Sequence, residues 1–264
     1  MGHGNIERSE NEERRTMRGL AGEELLRAWE RSRELPEQQA VLALLELADP
    51  ERPAREWARL PLGERDRLLL ELRTATLGWR MEGFAVCPAC GAELEFAVDA
   101  RELAEGLRTP AAPAAQPKGI AARPANTLDL LASSAATSAE EARAILLARS
   151  ACADGEETEA VKTAEGARHW LEAQPRRVAE RLAKRFEQVN AAAEIRIGLS
   201  CAACGGGSVL DLDVARYFLR EIGATARRLM AEIHELARAY GWSEAAIAGM
   251  SGARRAAYLG MLGT

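Results

Sequence analysis

The chemistry on offer in this sequence sits in two short cysteine pairs, Cys87-Pro88-Ala89-Cys90-Gly91 and Cys201-Ala202-Ala203-Cys204-Gly205. Two residues separate the thiols in each pair, and a glycine follows the second. A tight turn of this kind presents both sulfurs to one ion, which is half of a tetrahedral zinc site. The glycine supplies the positive-φ position that lets backbone N–H groups turn toward the thiolates. Together Cys87, Cys90, Cys201 and Cys204 would fill the coordination sphere of a single structural Zn2+ per chain and leave no place for water or substrate. That pattern points to metal and away from catalysis.

The pairs are about 110 residues apart, against roughly 15–20 in familiar zinc ribbons. Loop-closure entropy grows only logarithmically, so a long insertion is tolerated if it folds by itself. Two further readings of the cysteines stay open. Disulfides suit a secreted chain, and thioredoxin-like redox chemistry wants a cysteine pair at a helix start in a βαβ setting; the sequence shows neither an export signal nor that setting. Cys152, a lone fifth thiol beside an acidic stretch, reads as inert. His169 and His234 fall in helical patterns without partners at metal spacing, and His3 lies in the charged start. No Ser/His/Asp order, phosphate loop or dinucleotide fingerprint is present. Gly205-Gly206-Gly207 closes a cysteine turn instead of joining a strand to a helix.

The elements that must hold these turns follow from periodicity. Residues 1–20 read as a disordered charged tail. A helical unit over 21–79 comprises Ala21 to Arg33, then Glu37 to Ala48 after Pro36, a turn around Trp57, and Leu62 to Leu77. The period then changes from about 3.6 to 2. Phe84 and Val86 lead into the first cysteine pair, and Leu94, Phe96 and Val98 alternate after it. Ile195, Ile197 and Leu199 precede the second pair, with Leu210 and Leu212 following. The segments 80–100 and 194–213 thus read as two halves of a zinc ribbon.

Between them, 101–193 reads as a helical insert. It contains an Ala/Pro-rich loop over 109–125, one helical turn at Thr127 to Leu131, a helix started by Ser138 and Glu141 as a capping box, an acidic loop from Ala151 to Gly166, and an amphipathic helix from Arg176 to Ala192. A C-terminal unit, 214–264, begins with a long helix from Val214 to Tyr240, capped by Asp213 and stopped by Gly241, followed by two short helices capped by Ser243 and Ser251. The expected fold is mainly α with a small antiparallel β zinc ribbon.

The 47% apolar fraction is enough for a packed core. A formal charge of −5, from 35 basic and 40 acidic residues, gives nothing that attracts a polyanion. Nearly all the positive charge is Arg, with Lys118, Lys162 and Lys184 the only lysines. Arg binds protein carboxylates as well as phosphates. The pairs Arg176/Arg177 and Arg227/Arg228 therefore read as solvated helix faces, with a protein-partner surface as the sharper reading. No apolar stretch of about 18 residues predicts a membrane span. Met1 to Arg18 lacks the apolar segment of a signal peptide, which leads to the expectation of a cytoplasmic protein.

Taken together, Leu72-Arg73-Thr74-Ala75-Thr76-Leu77-Gly78, the two Cys-x-x-Cys-Gly turns, the stretch Tyr240-Gly241-Trp242-Ser243-Glu244-Ala245-Ala246-Ile247 and Arg254-Arg255-Ala256-Ala257-Tyr258-Leu259 resemble the baseplate hub assembly chaperone family of T-even-type phages, in the form carried by bacterial contractile injection systems. The likeness runs over about residues 20 to 262. Members often carry a β-hairpin where this chain has 109–125. The resemblance implies a non-enzymatic helper or minor component in assembling the hub and spike of a contractile tail. It implies protein partners, with no nucleic acid, membrane or small-molecule substrate, and action in the cytoplasm during assembly or within the finished particle. Only the four cysteines carry over, as zinc ligands. Two other function classes stand against it: a zinc-ribbon nucleic-acid-binding or regulatory protein, which the net acidity opposes, and a zinc enzyme, which would need three ligands and an open position.

Overall fold

The computed structural model describes residues 17–108, 122–151 and 163–262. The chain is mainly helical, with two separate antiparallel hairpins, as the periodicity predicts. Four helices open it: α1 (Glu23–Arg33), α2 (Glu37–Ala48), α3 (Ala54–Arg59) and α4 (Leu62–Leu77). Prolines 36, 53 and 61 precede α2, α3 and α4, where a missing N–H costs nothing because the first helical amides have no intrahelical partner. The turn expected around Trp57 is a full helix, α3, with the Trp57 ring buried.

The first hairpin, β1 (Arg80–Val86) with β2 (Glu93–Asp99), runs directly into α5 (Ala100–Leu107). Asp99 ends the strand and caps this helix through the Arg101 amide. In the insert, α6 (Thr127–Ser133), α7 (Ala139–Ser150), α8 (Ala164–Glu172) and α9 (Arg176–Asn190) follow, and a 3-10 turn (Ala191–Ala193) leads to the second hairpin, β3 (Arg196–Ser200) with β4 (Gly207–Asp211). The chain ends with α10 (Val214–Tyr240), α11 (Glu244–Ala248) and α12 (Gly252–Gly260). Two details differ from the sequence reading. Gly166, expected in a loop, lies inside α8, which Thr163 caps. At Ser138 the box is split: Ser138 accepts from the Glu141 amide, but the Glu141 carboxylate accepts from Thr137. The complete capping box is Asn126 with Asp129. The tail up to residue 16, most of the loop 109–125, and Cys152 with residues to 162 lie outside the described residues.

One core joins the two ends of the chain. Leu25, Leu26, Val41, Leu44, Leu45, Leu69 and Leu72 pack against Phe218, Ile222, Leu229, Ile233 and Leu236 of α10. Arg73, itself buried, grips Glu221 of α10 with two nitrogens, at 2.6 and 2.9 Å. Beyond α10, Gly241 adopts a left-handed φ of 68° and the chain doubles back, so that Tyr240 stacks on Trp242 at 4.5 Å and Trp242 meets Tyr258 edge-on at 4.9 Å.

At Gly22 the two ends come into close contact. Its φ is +52°, and a methyl group there would run into the carbonyl oxygen of Ala248 in α11. Gly22→Ala is expected to cost about 1–3 kcal/mol, from strain at a positive φ plus the clash. A urea midpoint indistinguishable from that of the parent chain would overturn this.

The insert attaches through polar contacts. The Leu62 amide donates to the Ala125 carbonyl and Arg65 reaches Thr127 Oγ1 at 3.4 Å, while within the insert the Ala125 amide donates to Asn190 Oδ1. Asp129 lies at the centre, 1% exposed. Its carboxylate accepts from Arg123 at 2.6 and 2.9 Å, from Arg149 Nε at 2.8 Å and from the Asn126 amide at 3.0 Å. These bonds tie 122–126, α6 and α7 together. A smaller apolar cluster of Ile145, Ala148 and Ala167 sits beside them.

Candidate metal centre

Each cysteine pair sits at the tip of its hairpin, and the two tips are built alike. In the first, the Cys87 amide donates to the Ala92 carbonyl and the Gly91 amide to the Cys87 carbonyl, both at 2.9 Å. In the second, Cys201 donates to Gly206 at 2.9 Å and Gly205 to Cys201 at 2.8 Å. Gly91 and Gly205 have φ of 74° and 71°. A side chain is strained in that conformation, which is why the residue after each second cysteine is glycine.

The hairpins are aimed at one another from their bases. The Tyr217 hydroxyl of α10 donates to the Glu82 carbonyl at 2.7 Å and accepts from the Glu82 amide at 3.1 Å, pinning the outer edge of β1. Met81, fully buried, roots the same strand in the main core. Ile195 and Leu212 root the second hairpin, and the Leu212 amide donates to the Ile195 carbonyl.

The four sequence-predicted sulfurs are brought together. Those of Cys87, Cys90, Cys201 and Cys204 all lie within 4.8 Å of one another, the one such group of metal-ligating side chains among the described residues. Cys87 Sγ is 3.7 Å from Cys204 Sγ, and Cys90 Sγ is 3.6 Å from Cys201 Sγ. A tetrahedron with bonds of about 2.3 Å has edges of about 3.8 Å, so the sulfurs are spaced as a single four-coordinate ion requires. A disulfide would need about 2.05 Å, and all four thiols are free. The set is soft, closed and compatible with one structural metal ion.

Electrostatics at the tips favour thiolates unequally. Backbone amides of Ala89 and then Cys90 point at Cys87 Sγ and bring its thiol down to about 7. At Cys90 the Ala92 amide also favours the thiolate, but the neighbouring thiols of Cys204, Cys201 and Cys87 together outweigh it and push the value up to about 11. Four sulfurs this close cannot all be ionised without a cation among them, because each added negative charge raises the cost of the next. Cys87 and Cys201 are buried while Cys90 and Cys204 face solvent. Around them only Leu94 joins the buried set, so the junction has little apolar packing of its own.

The remaining candidates stand apart. His169 on α8 and His234 on α10 are exposed and lie outside the sulfur cluster. On β1, Phe84 and Val86, which lead into the first cysteine pair, point outward, 69% and 67% exposed. With Met81 buried in the core, the two-residue strand period turns Gly83 and Ala85 inward and Phe84 and Val86 outward, and the Phe96 ring of β2 fills the place a side chain on Gly83 would take. Val209 on β4 is outward in the same way. Among the described residues no helix is long and apolar enough to cross a membrane.

Comparison with models of known protein families, with curated proteins and with solved structures finds no match to this chain.

Proposed function

We propose that the chain is a non-enzymatic assembly helper or minor structural component of the baseplate hub of a contractile, phage-tail-like injection apparatus, its fold stapled by one zinc ion on Cys87, Cys90, Cys201 and Cys204. The observation that carries this reading is the meeting of two cysteine turns, about 110 residues apart, in one closed four-sulfur cluster. Those turns are also among the most specific parts of the likeness to the hub chaperone family. A tetrathiolate zinc offers no open position for a reactant, which supports a structural role for the ion. Exposed Phe84, Val86 and Val209, with Met261 and Leu262 at the C-terminal end, supply apolar surface for protein contacts.

A zinc-ribbon nucleic-acid binder is the alternative. Against it, the outward face of the first hairpin pairs Phe84 with Glu95 and Val86 with Glu93, carboxylates that repel phosphate.

Elemental analysis of the purified protein should give about one zinc per chain. Co-expression with the hub and spike genes of the same cluster should leave at least one of those components bound through purification. Failure of all of them to co-purify, together with normal particles from a deletion strain, would overturn the assembly role. Salt-sensitive DNA or RNA affinity at the hairpins would favour the alternative.

A further inference from the structure

A groove away from the sulfur cluster carries charge opposite to that of the whole chain. It runs between α1, the start of α2 and α10, has a volume of about 730 Å³, and is lined by Trp29, Arg33, Glu37, Arg216, Arg220 and Arg227 among others. Four arginines face one glutamate there, on a protein whose net charge is −5. Arg216 is paired with Glu37 at 3.0 Å. Arg33, Arg220 and Arg227 are exposed and have no carboxylate in ion-pair range among the described residues.

Arrangement adds to composition. Arg216, Arg220 and Arg227, with Leu219 and Gly223 between them, form one stripe of α10 at spacings of four and seven residues, or about 6 and 10 Å along the axis. Gly223 is buried against the Trp29 indole, which keeps the floor of the groove low beside Arg227. The Arg33 guanidinium lies over the Trp29 ring at 4.7 Å.

We infer that this groove is a docking site for an acidic segment of a partner protein, with side-chain carboxylates received by Arg220, Arg227 and Arg33. Planar guanidinium groups bind carboxylates in two-point fashion; Arg220 and Arg227 offer that geometry along α10, and Arg33 adds a third guanidinium from α1 with no carboxylate partner. Polypeptide is favoured over nucleic acid on two counts. Arg33 covers the one aromatic face in the groove, so no bare ring remains for base stacking. A long polyanion would also run off the arginine stripe onto an acidic chain, whereas a short acidic segment ends with it. This inference does not depend on which apparatus the protein serves.

The test is fluorescence anisotropy with a labelled helical peptide of about 20 residues, long enough to span the stripe, carrying glutamates at the spacings of Arg216, Arg220 and Arg227. Saturable binding that weakens as salt rises is expected. Binding should fall roughly tenfold or more in an R220E/R227E variant and stay unchanged in R176E/R177E, which reverses an exposed basic face of α9. A milder R220Q/R227Q pair, checked by an unaltered thermal melt, separates lost charge from lost folding. Absence of saturable binding, or equal affinity in both charge-reversed variants, would overturn the inference. So would tighter binding of duplex DNA at the same arginines. If the peptide binds while hub and spike components fail to co-purify, the groove stands and the assembly role falls; the converse result removes only the groove.

Discussion

Chelating the zinc proposed for the four-cysteine cluster is expected to open both hairpin tips while the helical core stays folded. The reason is the disparity between the two regions. The main core buries more than a dozen large side chains from both ends of the chain, whereas the sulfur junction buries only Cys87, Leu94 and Cys201. Two-stranded hairpins are marginal on their own, and neither tip here has apolar packing to replace an ion. Structural zinc contributes on the order of 10 kcal/mol in small sites, far more than this junction can supply from burial. Hydrogen exchange after chelation should show lost protection at the Cys87, Gly91, Cys201 and Gly205 amides, with little change in α4 and α10. Cys201→Ser should behave as the chelated protein does and retain little metal. Tips that remain protected after the metal is shown to be gone would defeat the staple.

The second large effect is expected at Asp129. Replacing it with Ala leaves Arg123 and Arg149 facing a buried site without their shared carboxylate, a loss of about 3–5 kcal/mol. Burial alone would raise this carboxyl, but hydrogen bonds from Arg123, Arg149 and the Asn126 amide outweigh it and hold Asp129 below the usual carboxylate range. A group depressed in the folded state stabilises fully above its unfolded value of about 3.9 and loses that contribution as pH falls through the folded value. Urea midpoints at about pH 6 and pH 3 should therefore lie further apart in the parent chain than in Asp129→Asn. Equal spacing in the two proteins would mean that the carboxylate is not held as described.

How much of this was legible in sequence depends on how local each signal is. The cysteine turns declare themselves within five residues, and their glycines adopt the positive φ that the spacing implied. Pro36 and the apolar run after it placed α2, the leucine pattern placed α4, and Asp213 and Gly241 bounded α10. The misses share a cause. Helix α5 starts at Ala100, directly after the last residue of a strand, so Asp99 ends β2 and caps α5 and no turn residue separates them. Helix α8 carries a glycine in its first turn, which weakens its propensity, although Thr163 marked its start. The Arg123–Asp129–Arg149 group joins three points whose polar types carry no periodicity, and only the fold brings them into contact. The outward facing of Phe84 and Val86 follows from the burial of Met81, which only the assembled core decides, together with the two-residue period of β1.

The packing of α10 against α1, α2 and α4 has a consequence for how the chain is made. Helices synthesised first find their main partner only after residue 214, and the second half of the sulfur cluster leaves the ribosome at about the same moment. At roughly 5–20 residues per second, the apolar stripes of α2 and α4 wait on the order of ten seconds, uncovered, before that partner emerges. Emergence of α10, and not the local strength of any early helix, is expected to set when the N-terminal helices become resistant to degradation.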